Sequence, residues 1–407
     1  MMIRKLLIGL VLVSPLVSWG IQLKSPDGEV RLDIKIADKQ LVYSVKHGDT
    51  TVVEPSPLGI IVDDKTYGSV EKIGSEKCGR INESYSWRGV KPEVINHCNT
   101  LVLDLGSDQK WQIEARAYND GVAFRYIVPG SGIRTVQGEL TGFMLPQDTM
   151  VWFQGNSAHY EGLFHKFKIG QIPSEIEMKK KLHKTSVTFP VTCQLQDGSY
   201  AMLSEANIMG YSGMTLKLTD SRMLLSQFED DKKGWGMEGT ITTPWRLVMV
   251  AADLNALVNN DLIHNVCPAP DPELFPKGMA TDWVQVGRSL WQWWGYNNPG
   301  THWSRQHWFV DQAAKLNCGY YLVDEGWEHT RQEWFKPGED AWPRLKELCE
   351  YAAERDVKII VWRAWYDREK KQFPGLKTEA QREDFFRKCN VPILAVLTTK
   401  ITSNRSK

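Results

Sequence analysis

Apolar and polar residues alternate with a period of two from Ile21 to about Ala280, a pattern typical of β-strands with one buried face. Residues 30–36 and 41–45 alternate in this way around a polar turn at Asp38. Further runs of this type are Thr100–Leu105, Gln112–Ala117, Val122–Val128 and Thr188–Leu195. Amphipathic helix patterns are nearly absent. The pattern predicts a large antiparallel β-sandwich as an N-terminal domain over residues 21–280.

After a proline-rich stretch at residues 267–272, the pattern changes to short apolar strands separated by helices. Predicted strands cover Arg288–Trp294, Tyr320–Asp324 and Lys358–Trp362, and their starts lie 32 and 38 residues apart. Repeats of this length are typical of βα units, which build parallel sheets and eight-fold barrels. Residues 281–407 are therefore predicted to form part of a (β/α)8 (TIM) barrel.

Three helices are predicted between and after these strands. Ser304 is placed as the N-cap of the first, which presents Phe309, Val310, Ala313 and Leu316 on one face. Pro343 suits the first turn of the second helix, which carries Leu345, Leu348, Cys349 and Ala352 at helical spacing. Thr378, with Gln381 three residues later, matches a capping box at the start of the third.

The second domain is short for a complete barrel. A barrel needs about 250 residues, and 127 remain from Thr281 onward. An apolar run at Val391–Leu397 stands where a fourth strand is expected, but no helix pattern follows it and no Asp or Glu occurs after Asp384. These features predict the first half of a barrel, with a shifted reading frame or an early stop after about residue 390.

The first 20 residues resemble a secretory signal peptide. Arg4 and Lys5 precede an apolar run over Leu6–Val17, and the small residues Ser18 and Gly20 stand at a plausible cleavage site. The run is shorter than the roughly 18 residues that a spanning helix needs, so a retained membrane anchor is the weaker alternative. We expect a periplasmic or secreted protein without a stable membrane anchor.

Composition excludes several classes of function. The 49 basic residues balance the 49 acidic ones, which gives no electrostatic reason to expect a nucleic-acid partner. Seven cysteines are too few for a disulfide framework, and the histidines and cysteines show no zinc-binding spacing. Gly234–Gly239 matches the dinucleotide fingerprint, but a strand pattern instead of a helix follows it, so a nucleotide cofactor is not expected.

Tryptophan is concentrated in the second domain, where 11 of the 17 tryptophans fall between Trp283 and Trp365. Several stand at the ends of predicted barrel strands, the face on which barrel enzymes build their sites. Aromatic faces beside polar groups suit sugars, although packing between barrel and helices is the alternative for each ring. The candidate substrate-binding residues are Trp291, Trp294, Asp324, Trp327 and Trp362.

Acidic residues supply the other candidates. Asp324 and Glu325 are sequence neighbours, so they point to opposite faces and cannot form the facing carboxylate pair that glycoside cleavage needs. A role in hydroxyl binding or in fixing the loop is therefore expected for Asp324. Glu205 ends an apolar strand of the first domain, and the sequence alone favours a solvated or hydrogen-bonded carboxylate over a metal ligand there, because calcium takes six to eight oxygens and this segment offers one carboxylate.

Short motifs in order along most of the chain resemble glycoside hydrolase family 97. The matching segments are Ser25–Gly28, Ser56–Gly59, Ala117–Tyr126, Ser204–Asn207, Tyr211–Met214, Thr243–Arg246, Gly287–Arg288 and Val323–Trp327. The resemblance implies an exported bacterial glycoside hydrolase that cleaves terminal α-glucosidic or α-galactosidic bonds of oligosaccharides and other α-glycosides. It also implies an N-terminal β-super-sandwich, a (β/α)8 barrel and a C-terminal β domain.

The resemblance further implies a calcium ion near the substrate, for which Glu205 matches one ligand. Family members place an acidic residue at the end of barrel strand four, where Val391–Thr399 offers none. The catalytic carboxylates are therefore expected beyond the end of the chain. The alternative is a non-catalytic carbohydrate-binding protein that uses the sandwich and the tryptophan-rich half-barrel.

Overall fold

The computed structural model describes residues 20–399 except 88, 107–109, 156–159, 161, 172–185, 219–221, 229–232, 293–300, 329, 366–374 and 390–393. The chain divides into two compact units between Met279 and Ala280. Of the predicted signal peptide, Met1–Gly20, only Gly20 is among the described residues, so that prediction stays open. None of the helices in the described ranges is long and apolar enough to cross a membrane.

Antiparallel strands form the N-terminal unit. In the described residues they are β1 (Gly20–Lys24), β2 (Val30–Ala37), β3 (Gln40–His47), β4 (Thr50–Pro57), β5 (Ile60–Val62), β6 (Lys65–Tyr67), β7 (Ile73–Ser86), β8 (Glu93–Leu105), β9 (Trp111–Tyr118), β10 (Gly121–Val128), β11 (Ile133–Glu139), β12 (Gly142–Met144), β13 (Met150–Phe153), β14 (His165–Lys168), β15 (Ser186–Thr188), β16 (Val191–Gln194), β17 (Tyr200–Ala206), β18 (Met214–Leu218), β19 (Met223–Phe228), β20 (Trp235–Glu238), β21 (Ile241–Thr242) and β22 (Trp245–Ala251). A short 3-10 helix, Ile169–Gln171, follows β14.

These strands pair into three sheets. The eight-stranded sheet has the order β1-β2-β3-β4-β12-β19-β18-β15, and the ten-stranded sheet has the order β14-β13-β16-β17-β22-β10-β9-β8-β7, with β21 beside β10. The small sheet has the order β20-β11-β5-β6. Glu205 of β17 lies opposite Arg246 of β22 in the ten-stranded sheet. This register places the two side chains beside each other.

The eight- and ten-stranded sheets enclose the main apolar core. Leu32 and Val45 of the first sheet are buried in one cluster with Phe124 and Val248 of the second. The ring centroids of Tyr43 and Phe124 lie 4.9 Å apart across the two sheets. The N-terminal unit is therefore a β-sandwich, as the alternating pattern predicts.

Two short helices cover the other face of the ten-stranded sheet. They are α1 (Leu254–Val258) and α2 (Leu262–Asn265). Leu257 and Leu262 pack there in a second cluster with Trp245 and Leu247. Because β22 is covered on both faces, all seven of its residues are buried.

The second unit alternates strands and helices. Its elements are β23 (Ser289–Trp291), α3 (Trp303–Lys315), β24 (Tyr320–Val323), α4 (Trp342–Ala353), β25 (Lys358–Ala364), α5 (Glu379–Cys389) and β26 (Leu394–Thr399), with 3-10 turns at Gly278–Ala280 and Thr330–Gln332. The four strands are parallel and lie in chain order. This is the predicted series of βα units, whereas closure into a (β/α)8 barrel stays a prediction.

The pleat of the parallel strands separates two faces. Tyr321 and Val323 of β24 are buried in one cluster with Phe309 of α3 and Leu348 of α4. Successive residues point to opposite faces of a strand, so Leu322 points away from these helices. Trp291 shares that other face, because it pairs in register with Leu322.

Several local predictions are confirmed. The runs at 30–36, 41–45, 112–117 and 122–128 lie within β2, β3, β9 and β10. The capping box is present, since the backbone N–H of Thr378 donates to Gln381 Oε1 at 2.9 Å and the Gln381 N–H donates to Thr378 Oγ1 at 3.2 Å. Pro343 lies in the first turn of α4.

Other local predictions are wrong. Thr188–Leu195 is two strands in different sheets, β15 and β16, separated by Pro190, which has no N–H to donate to a ladder. Ser304 lies inside the first turn of α3 because the helix begins at Trp303. Leu316, predicted on the buried face, follows the last helical residue and is 58% exposed.

Replacing Gly121 by alanine is expected to destabilise the sandwich. At this residue φ is +153°, and an added Cβ would stand 2.6 Å from the carbonyl oxygen of Val248 and 2.9 Å from Met249 Cα. Because both contacts are backbone of β22, the strands would have to separate. We expect the free energy of unfolding to fall by about 1–3 kcal/mol, or Tm by about 2–10 °C, in thermal unfolding followed by circular dichroism.

Gly236→Ala is the matched control, since its added Cβ would meet only Ile133 Cγ2, at 3.7 Å. Equal Tm values for the two variants would contradict the account of close packing between β10 and β22.

Candidate active site

Trp291 and Asp324 meet at the carboxyl ends of neighbouring parallel strands. Trp291 is the last residue of β23, and Asp324 directly follows β24. The indole Nε1 of Trp291 donates to Asp324 Oδ2 at 2.7 Å, and the backbone N–H of Glu325 donates to Asp324 Oδ1 at 2.6 Å. The carboxyl ends of parallel strands are where α/β folds build their sites.

The pair presents an aromatic ring beside a fixed carboxylate. Trp291 is 40% exposed, while Asp324 is 9% exposed. An indole that is open on one side can stack against the apolar face of a ring, and a carboxylate beside it can accept hydrogen bonds from hydroxyl groups. The structure thus brings together two of the predicted substrate-binding residues.

Trp362 and Trp327, two other predicted substrate-binding residues, are both buried. Trp362 lies in β25 and is buried, at 7% exposure. Trp327 is 1% exposed, and its Nε1 donates to the backbone carbonyl of Trp362 at 2.7 Å. Its ring packs against Trp334 and Trp342, with centroids 6.3 and 5.5 Å away. The contacts of Trp327 are those of a core residue, and its predicted role in substrate binding has no support from them.

Trp294 lies outside the described residues. Gln292, which the sequence reasoning missed, is described: it follows β23, is 2% exposed, and neither of its amide atoms has a hydrogen-bond partner among the described residues. A buried amide without partners is costly and marks a place where a ligand or a further segment could bind. Its position directly after the strand-end Trp291 was the available signal.

Glu205 in the N-terminal unit belongs to a buried ionic network. Arg246 Nη1 donates to Glu205 Oε2 at 2.5 Å, while Arg246 Nη2 and Nε donate to the two oxygens of Glu139 at 2.5 and 3.1 Å. The side chains of Arg246 and Glu139 are fully buried, and that of Glu205 is 9% exposed. Sequence reasoning missed Glu139 and Arg246 because they lie 66 and 41 residues from Glu205.

Hydroxyl and amide donors complete the network. Tyr211 Oη and Thr141 Oγ1 donate to the two oxygens of Glu139, at 2.9 and 2.8 Å. The backbone N–H of Met214 donates to Glu205 Oε1 at 3.0 Å. Burial raises the pKa of Glu205, and the charge of Arg246 opposes that rise. Burial alone would lower the pKa of Arg246, but the two carboxylates outweigh it and raise that pKa.

The network can offer a cation one ligand. With both carboxylates ionised it carries one net negative charge, which a cation beside Glu205 would neutralise. Calcium takes six to eight oxygen ligands, and the described residues contain no group of three or more His, Cys, Asp or Glu placed to hold a metal ion. Glu205 therefore fits as a single calcium ligand, and the described residues do not form a complete site.

Comparison with known proteins matches the N-terminal unit to a described family. The family described as "Glycosyl-hydrolase 97 N-terminal" matches residues 23–268. A probable retaining alpha-galactosidase of Streptomyces bingchenggensis is 28% identical over 347 residues, covering 82% of this chain and 51% of the relative. The retaining alpha-galactosidase of Bacteroides thetaiotaomicron is 25% identical over 389 residues, covering 84% and 55%. The chain spans about half the length of these curated relatives.

Solved structures show the same fold. A beta-arabinopyranosidase superposes with a TM-score of 0.75 at 19% identity, covering 93% of this chain and 62% of that protein. A family 97 enzyme from Pseudoalteromonas sp. strain K8, in complex with acarbose, has a TM-score of 0.75 at 20% identity, covering 94% and 59%. Since the family match extends over more than half of its residues, the chain belongs to glycoside hydrolase family 97.

Proposed function

We propose that this chain binds terminal α-galactosides, or alternatively α-glucosides, for hydrolysis by a family 97 enzyme. The observation that carries the proposal is the Trp291–Asp324 pair at the strand ends, in a chain whose N-terminal unit matches the family. The names of the two curated relatives favour galactose. Because the sequence predicts an export signal, we also propose that the protein acts in the periplasm or outside the cell.

The proposed mechanism gives Trp291 and Asp324 a binding role. The indole stacks on the sugar ring, and Asp324 accepts a hydrogen bond from a hydroxyl group. Cleavage of a glycosidic bond needs two carboxylates facing each other across that bond. Because Trp291 and the Glu325 N–H hold both oxygens of Asp324, we assign it to orientation and place the catalytic carboxylates on later strands of the hydrolase.

For calcium we propose Glu205 as one ligand, with further ligands from outside the described residues. When bound, such an ion would supply Lewis-acid chemistry towards an oxygen that coordinates it. The role of Arg246 is to hold Glu205 in one orientation, since its guanidinium joins that carboxylate to the fully buried Glu139. The net negative charge of the network supports this proposal.

Substrate binding is tested with Trp291→Ala in isothermal titration calorimetry against methyl α-galactoside and methyl α-glucoside. We expect about tenfold weaker binding, because the stacking face and the donor to Asp324 are both lost. Trp308→Ala is the matched control, since Trp308 is 48% exposed and lies on α3.

The same preparations are assayed for release of p-nitrophenol from the two p-nitrophenyl α-glycosides. We expect the chain to bind sugar without turnover. Turnover would contradict the placement of the catalytic carboxylates on later strands and direct attention to Asp324 and Glu325. Failure to bind either methyl glycoside would contradict the substrate role itself.

Calcium is tested by the change in Tm between 5 mM EDTA and excess calcium, for the chain and for Glu205→Gln. The variant should fold, because Arg246 keeps its ion pair with Glu139. We expect calcium to raise the Tm of the parent chain, because binding to the folded state stabilises it, and to leave the variant unchanged. Glu238→Gln, at an exposed strand position, is the control. A calcium effect of equal size in Glu205→Gln would contradict the proposed ligand.

A further inference from the structure

A cavity of about 500 Å³ lies in the second unit among the segment before α4, the end of β25 and helix α5. Its volume falls within the range of about 300–1,000 Å³ that is typical of small-molecule sites. Four aromatic side chains lie along it: Phe335 and Trp342 are partly exposed, whereas Trp327 and Phe385 are buried behind them in the core. The cavity is separate from the Trp291–Asp324 pair, neither of which lines it.

A buried ion pair lies in the cavity wall. Arg363 Nη1 stands 3.4 Å from Glu328 Oε2, and their side chains are only 11% and 5% exposed. The Arg363 guanidinium carbon lies 5.8 Å from the ring centroid of Trp327 and 5.5 Å from that of Phe385. A planar guanidinium beside aromatic rings is a well-oriented hydrogen-bond donor.

Further polar groups line the cavity. Lys388 Nζ lies 2.9 Å from Asp384 Oδ2 and 5.7 Å from the ring centroid of Trp342. Glu339 and Asp340 add two exposed carboxylates. Hydrogen-bond donors and acceptors therefore both line the cavity, together with the partly exposed rings of Phe335 and Trp342.

The charged side chains that line the cavity limit the class of ligand that can bind there. Four carboxylates and two cationic groups line the cavity, so an anion would meet net repulsion. An organic cation would compete with Arg363 and Lys388, which already lie over the rings of Trp327, Phe385 and Trp342. A neutral polyol carries no charge for the lining to repel, and each of its hydroxyl groups can both donate and accept a hydrogen bond.

We propose that this cavity is a second carbohydrate site, which binds one or two units of a neutral oligosaccharide on the helix-covered side of the parallel sheet. It is distinct from the strand-end pair and goes beyond the proposed function. The hydrogen bond from Trp327 Nε1 to the carbonyl of Trp362 joins one lining residue to the backbone of β25. The role of this second carbohydrate site is to hold another part of the glycan, which leaves the strand-end site free for a terminal sugar residue.

The test fills the cavity without removing any packing. Ala380 lines the cavity and is exposed in the first turn of α5, so Ala380→Trp projects an indole into the space. Glu383→Trp is the matched control, since Glu383 is exposed on the same helix but does not line the cavity. Trp291→Ala is titrated with panose by calorimetry, by itself and combined with either Ala380→Trp or Glu383→Trp, and the full chain is titrated in parallel.

We expect Ala380→Trp to weaken panose binding at least tenfold in the Trp291→Ala background, where the strand-end site is already impaired, and Glu383→Trp to change it less than twofold. Choline serves as the cationic probe and should not bind. Unchanged panose affinity in Ala380→Trp, or binding of choline with the same sensitivity to that substitution, would overturn the proposal. Circular dichroism spectra and Tm values confirm that the variants are folded.

Discussion

The N-terminal unit depends on one buried guanidinium. Arg246 lies on β22, whose residues are all buried, and its guanidinium pairs with Glu139 of the small sheet and Glu205 of the neighbouring strand β17. Removing one member of a buried ionic group leaves an uncompensated charge, which costs more than a lost surface contact. Arg246 therefore needs a buried carboxylate partner, which the fully buried Glu139 supplies. The network also fixes the orientation of Glu205, the least buried of the three, at the end of its strand.

In the second unit the corresponding constraint is the pleat of the parallel strands. Residues that point towards the helices, such as Val323 and Val361, join the apolar core, whereas Trp291 on the other face keeps 40% of its surface exposed. The same alternation that packs the sheet therefore delivers one aromatic ring and one carboxylate to the strand ends. Trp327 lies only three residues beyond Asp324, but the chain has turned by then and its ring is inside the core.

The family match and the candidate sugar-binding groups lie in different units of the protein. The family match lies in the sandwich, over residues 23–268, while the aromatic and acidic groups suited to sugars lie mostly in the second unit. Two tryptophans of the second unit, Trp291 and Trp327, use the same property of this residue, which combines a large apolar face with one hydrogen-bond donor. In Trp291 that donor orients a carboxylate, and in Trp327 it satisfies a backbone carbonyl. Exposure, more than residue type, separates the two roles.

The sequence by itself determined the local elements: period-two alternation predicted β2, β3, β9 and β10, and the Thr378–Gln381 spacing predicted the start of α5, because these patterns involve neighbours along the chain. It also brought Glu205 and Asp324 forward as candidates through their places at strand ends. Only the tertiary structure decided that Arg246 stands between Glu139 and Glu205, that Trp327 is buried, and that a cavity separates α5 from the segment before α4. Those outcomes depend on strand register and on contacts between residues far apart in sequence, which local periodicity does not encode.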